Sequence, residues 1–201
     1  MKVIFENLFT LTKPNDAQIA GFITASKDGA FSYRDVGASR DLDDRSDDLK
    51  AYNVDHNRVL IGDGEHDFEK AKQAIREWKM FDFDWVELCW PDTSIETGQT
   101  VAVLIKHFGL YSLNAARIVY TIDEPDRFGF AYGTLEDHGE SGEERFIVER
   151  DSDGKVWYDL KAFSKPNHAL AKLGYPFVRM LQKRFGQDSK QAMFRAVNSI
   201  G

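Results

Sequence analysis

The sequence predicts an α+β fold of helix-grip type, a curved seven-stranded antiparallel sheet wrapped on a long C-terminal helix. Three observations carry this expectation. Seven strand-like segments succeed one another from Val54, a single helical segment interrupts them after the first, and the chain closes on a longer helical stretch. A sheet of this kind has an apolar face to cover, and the terminal helix is the obvious cover. Such a wrap often leaves a hollow between sheet and helix, although fold alone does not fix function.

In chain order, "VDHNRVLIG" reads as the first strand and "DGEH" as the turn after it. "DFEKAKQAIREWKMF" then sets Phe68, Ala71, Ile75 and Trp78 at helical spacing, with Asp67 or His66 able to cap its start. The strand segments Trp85–Trp90, Thr100–Phe108, Leu113–Asp123, Phe128–Leu135, Glu143–Arg150 and Lys155–Ser164 follow. Pro91, Gly98, Gly109, Pro125, Gly139, Gly142 and Gly154 punctuate them. In the last helix Asn167 can cap, and Leu170, Leu173, Phe177 and Leu181 share a side. Pro176 should kink the helix or divide it. Residues 1–50 read as an N-terminal arm, with a weak helix near Asp16–Ser26, then "FSYRDVGASR", then the acidic run "DLDDRSDDLK" as a solvated linker. Residues 51–201 form the helix-grip-like domain.

Composition excludes several partners. The net charge of −7 repels phosphate backbones and anionic lipid surfaces, so no nucleic acid is expected. No run of apolar residues is long enough for a membrane span, and Glu6, Asn7 and Lys13 break up the start of the chain as an export leader. Cys89 is the single cysteine, so no intrachain disulfide can form. A soluble cytoplasmic protein is the expectation. Fifteen Phe, seven Tyr and four Trp supply enough aromatic surface to line a cavity as well as a core.

Alternation along each strand sorts side chains by face. In Glu143–Arg150 the set Glu144, Phe146, Val148 and Arg150 is the better interior face, which turns Glu144 inward and leaves Glu143 outside. The neighbouring strand sends Phe128, Phe130, Tyr132 and Thr134 to the same space. Gly129, Ala131, Gly133 and Leu135 lie opposite, small enough at three positions for close approach of another element. The same test adds Tyr158 from the last strand and turns His107 inward with Val101, Val103 and Ile105; Tyr120 follows Ile118 and Ile122. Glu136, Asp137, His138 and Glu140 fall in "EDHGESG", read as an exposed loop. A buried carboxylate costs several kcal/mol unless paired or protonated, so Glu144 either finds partners or is used.

Other motifs fail on chemistry. The glycines of "IGDGEHDFEKA" precede a helix, but Asp63, Glu65 and Asp67 would repel a phosphate. The acidic run lacks the calcium-loop glycine and terminal Glu, and the five histidines show no paired ligand spacing, so neither metal nor cofactor is expected. Arg34, Arg40 and Arg117 are possible anion contacts that read more simply as surface or ion-pair arginines.

"FSYRDVGASR", "VLIGDGEHDFEKAKQAIREWKMF", "ARIVYTIDEPDRFGFAYGTLEDHGESGEERFIVER" and "AFSKPNHALAKLGYPFVRMLQKRF" together resemble a bacterial and plant family catalogued as domain of unknown function nineteen-ninety. The resemblance runs from about Phe31 to Val197, and its most specific pieces are Tyr-Gly-Thr-Leu at 132–135 and Gly-Glu-Glu-x-Phe at 142–146. It departs from the family pattern at Gly139, Ser39 and Lys165. It implies no assigned catalytic residues, but it draws attention to Tyr33, Arg40, Tyr132, Thr134, Glu143 and Glu144.

Three functions fit these residues. The first is a small-molecule binding protein with a largely apolar or amphipathic ligand, oriented by Tyr132, Thr134, Glu144, Tyr158 and His107. The second is an enzyme on the same cavity, with Glu144 as general acid or base and Tyr132 or His107 as partner. The third is an interaction or scaffold protein using the arm or a sheet edge.

Overall fold

The computed structural model describes residues 10–42, 49–136, 138–167 and 174–199. Its elements are α1 (Asp16–Ser26), β1 (Asn53–Asp63), α2 (Gly64–Arg76), β2 (Val86–Cys89), β3 (Thr100–His107), β4 (Leu110–Glu124), β5 (Arg127–Thr134), β6 (Glu140–Arg150), β7 (Lys155–Pro166) and α3 (Tyr175–Asn198). The strands form one antiparallel sheet in the order β1-β7-β6-β5-β4-β3-β2, with α3 against one face, as a helix-grip fold requires. The acidic run at 43–48, and Leu170 and Leu173, lie outside the described residues. Pro176 stands in the first turn of α3, where its missing N–H costs nothing.

Two local features shape the sheet. Only Phe108 and Gly109 connect β3 to β4, and their φ angles of 45° and 88° fit the type I′ turn that follows strand twist. Gly109 takes that angle freely, whereas Phe108 is held in a sparsely populated region. In β4 the pairing with β5 shifts between Ile118 and Tyr120, a bulge that reverses the alternation beyond Val119. Ile118 therefore enters the inner core while Tyr120 and Ile122 pack on the outer face with Ala131 and Ile147. This corrects the assignment of Tyr120 to the interior.

The inner core is aromatic. Phe68, Ala71 and Ile75 of α2, Trp78, Phe81, Phe130, Phe146, Val156, Tyr158, Met193 and Val197 pack together. Phe130 and Phe146 stack across β5 and β6 at 5.2 Å. The close approach of α3 to β1 is set by Gly186, where a Cβ would fall 2.6 Å from the Asn57 side chain.

The outer face is not left to water. Ile19, Phe22 and Ile23 of α1 cover Cys89, Ala102, Leu104, Ala115 and Leu135. Tyr33, Ala38, Leu42 and Leu49 cover Phe163. The arm reaches so close that a Cβ on Gly133 would lie 2.0 Å from the Tyr33 hydroxyl oxygen, which explains a glycine there. Glu143 lies beneath this cover, 2 % exposed. It accepts hydrogen bonds from the Tyr33 hydroxyl (2.7 Å), the Gly37 N–H (2.7 Å), the Ser39 N–H (3.0 Å) and the Ser39 hydroxyl. Glu143 does point away from the interior, but into the arm and not into solvent. The pleat alone decides the face of the sheet and says nothing of what lies over it.

Candidate functional site

Between the inner face of the sheet and α3 lies a cavity of about 430 Å³. Its apolar wall includes Trp85, Val103, Ile105, Ala116, Leu160 and, from α3, Phe177, Leu181 and Phe185. The α3 residues recur at a spacing that keeps them on one helical stripe. Phe108, at the hairpin tip, is 88 % exposed and meets the Phe177 ring at 5.4 Å, forming an aromatic rim.

The polar groups on the wall fall into two sets. The first is a carboxyl–phenol pair. Glu144 and Tyr132 are directly opposite in the β5–β6 ladder, so the pleat sends both inward, and the Tyr132 hydroxyl donates to Glu144 Oε2 at 2.9 Å. Burial pushes the Glu144 carboxyl up to about 8; the Tyr132 hydrogen bond opposes this, and the charges of Glu140 and Asp55 add to it. Tyr132 is held well above its ordinary range, first by burial and then by Glu144, and stays a neutral donor. The carboxyl therefore carries a proton at neutral pH and exchanges it near physiological pH.

Glu140 belongs to the same set, against the expectation of an exposed loop. β6 begins earlier than its apolar residues suggest, with Glu140 paired to Pro166 of β7. Its side chain faces the cavity and accepts from the Gln182 amide, which also donates to the Ser164 hydroxyl at 2.9 Å. Burial raises Glu140 to about 7, with Gln182 and Arg179 opposing. Glu136 is exposed as expected, His138 is half-buried on the cavity wall, and Asp137 lies outside the described residues. Asp55 is held by both amino groups of Arg179 at 2.5 and 2.7 Å.

The second set sits on β3 and β4. His107 Nε2 meets the Ser112 hydroxyl at 3.0 Å, and the Asn114 amide donates to the same hydroxyl at 3.1 Å. Burial lowers the His107 pKa, so the ring stays neutral. Ser112 and Asn114 escaped sequence reasoning. Leu113 alternates with them on the outer side, so the pleat itself was the available signal.

The other expected residues are placed differently. Tyr158 does not line the cavity: it is wholly buried, and its hydroxyl meets Ser189 of α3 at 2.8 Å, pinning the helix to β7. Thr134 lies on the wall, but its hydroxyl is engaged with Ser32 (2.6 Å) and donates to the Gly142 carbonyl (3.1 Å). Arg34 is exposed. Arg40 stacks on the Tyr120 ring at 4.3 Å on the outer face, so neither arginine reaches the cavity. Asn167, expected to cap a helix, donates its amide to the carbonyls of Glu136 (3.1 Å) and His138 (3.0 Å) and ties down the β5–β6 connection. Among the described residues no group of His, Cys, Asp and Glu is arranged to hold a metal ion, and no helix is long and apolar enough to cross a membrane.

Fold and site together define a helix-grip protein with a mostly apolar hollow and a carboxyl–phenol pair on its wall. The chain belongs to the family described as Domain of unknown function (DUF1990), which matches residues 32–192. It is 40% identical over 200 residues to a UPF0548 protein of Deinococcus radiodurans, across 94% of this chain and 98% of that one. It is 37% identical over 209 residues to a UPF0548 protein of Dictyostelium discoideum, across 96% and 97% respectively. Among solved structures, the hypothetical protein jhp0584 from Helicobacter pylori is similar with a TM-score of 0.53 at 15% identity, covering 73% of this chain and 88% of that chain, a likeness of fold alone.

Proposed function

We propose that the protein binds a small, largely apolar molecule between its sheet and α3, and that Glu144 and Tyr132 fix the ligand's polar end. The observation that carries this reading is the cavity of about 430 Å³, whose size falls in the range of ligand sites and whose wall is mostly apolar with few inward polar groups. An interior left hollow forgoes dispersion contacts that an occupant restores. Cys89, buried and raised by burial to about 12, stays an inert thiol, which accords with a cytoplasmic setting.

The test is to fill the hollow. Ala162 lines it from β7, and Ala162→Phe should project a ring into the space. Native mass spectrometry of gently purified wild type is expected to show a retained small molecule, and thermal-shift screening an increase in Tm with apolar ligands. The Phe variant should stay folded and lose both signals. Equal ligand retention by the two proteins would overturn the reading.

The proton held by Glu144 favours a second reading, an enzyme that uses this group as general acid or base, with Tyr132 steadying the carboxyl. Glu144→Gln should then bind the retained molecule but leave it chemically unchanged, where wild type converts it. Identical products from both proteins would remove this reading.

A further inference from the structure

The charges on the cavity wall are of one sign. Among the described lining residues are Asp55, Glu140, Glu143 and Glu144, but no lysine or arginine. Two of these acids are already satisfied elsewhere: Asp55 by Arg179, and Glu143 by the arm on the opposite face. Glu144 accepts one hydrogen bond among the described residues, from Tyr132, and Glu140 accepts from Gln182. The other polar groups facing Glu144 or the hollow are Tyr158 from β7, His107 from β3, Ser112 and Asn114 from β4, the Gln182 amide from α3, and His138 from the β5–β6 connection, whose Nδ1 accepts the Glu140 N–H at 3.0 Å. A cavity with a mostly apolar wall, the two inward acids Glu140 and Glu144, and no lysine or arginine among its described lining residues, the nearby Arg179 being engaged by Asp55, is complementary to a positive charge on an apolar body.

We infer that the cavity takes an organic cation, an aliphatic or aromatic body bearing a protonated amine that Glu144 and the Tyr132 oxygen receive, with Glu140 adding to the negative field. This rests on the binding function proposed above and names the ligand class for the same site.

The proton balance follows from burial. Burial raises Glu144 to about 8, which keeps it protonated at neutral pH before a ligand arrives. When an ammonium head enters, the Glu144 O–H bond breaks, the proton leaves to solvent, and the carboxylate accepts an N–H from the ammonium. Binding releases up to one proton per ligand near neutral pH, and it tightens as pH rises from about 6 to about 8. A neutral ligand accepting from the Glu144 O–H has the opposite slope, weakening as the carboxyl ionises. An anionic head meets acids, with no lysine or arginine among the described lining residues to receive it.

Decylamine, decanol and decanoate share one tail and differ in head charge. Their binding can be followed through Trp85, which lines the cavity, and by titration calorimetry in two buffers of different protonation enthalpy. Decylamine is expected to bind at least about tenfold tighter than decanoate, a difference of about 1.4 kcal/mol, with proton release to the buffer. Glu144→Gln should erase that preference and the proton release. Decanoate binding as tightly as decylamine, or decylamine binding without proton release, would overturn the cation assignment while leaving the binding function in place. Failure of all three to bind wild type would overturn both.

Discussion

Glu143→Ala is expected to lower stability by about 3–5 kcal/mol and to release the N-terminal arm. Hydrogen bonds to a charged acceptor contribute about 1.5–3 kcal/mol each, and this carboxylate receives the Tyr33 hydroxyl, the N–H groups of Gly37 and Ser39, and the Ser39 hydroxyl in one buried place. Removing it leaves those donors facing apolar surface unless the arm lifts and water replaces the acceptor. Lifting exposes Phe163, Ala38 and Leu42, so the loss is partial unfolding and not a local rearrangement. In a chain of this size the change corresponds to a fall in Tm of roughly 10 °C. Limited proteolysis should cut the variant within residues 28–42 at protease levels that spare wild type. Glu143→Gln keeps one accepting oxygen and should fall between them. An Ala variant as heat-stable and protease-resistant as wild type would show that the arm is held by other contacts.

The neighbouring acid should produce a pH effect of the less familiar sign. Glu144 stands at about 8 and Glu140 at about 7 in the folded protein, both above the ordinary value of 4.5 in an unfolded chain. Between these limits the native state binds more protons than the unfolded state, so stability is fully present below about pH 4.5 and drains away as pH rises towards 8. The two carboxyls together make this change on the order of a few kcal/mol. His107, lowered by burial, acts in the opposite sense, its contribution being lost as pH falls below its ordinary value. The difference between wild type and Glu144→Gln isolates the carboxyl. Denaturant unfolding should show the Gln variant gaining on wild type steadily from about pH 5 to about pH 8.5, ending as the more stable protein. A difference that stays constant over this range would mean that Glu144 is ionised and hydrated in the folded state.

The fold was readable because its signals are periodic. Phe128, Phe130 and Tyr132, or Val101, Val103 and Ile105, alternate for long enough to declare a strand and its inner face, and Phe177 and Leu181 mark the covering stripe of α3. The same alternation turned Glu144 towards the hollow beside Tyr132. What escaped was aperiodic or non-local. The bulge at Val119 has no sequence mark, so alternation was carried past it and Tyr120 assigned to the wrong face. Glu140 looked like loop because glycines surround it, and only its partner strand reveals that β6 already includes it. The residues from Phe31 to Leu42 show no repeat of either period, since they cover the sheet through a tyrosine, small residues and hydrogen bonds to one carboxylate. The small residues Ala131 and Gly133 on the outer face were the available hint that something approaches there.

Consecutive glutamates on β6 also constrain how the strand can pair. Sliding β6 by one position would thrust Glu143 and Arg145 among the inner aromatics and offer Glu144 to the Tyr33 hydroxyl, so a ladder misaligned by one residue strands a charge in oil. The twin acids thus proofread the alignment of the sheet from both sides at once, and the correct pairing is selected by the penalty on its neighbours as much as by its own contacts.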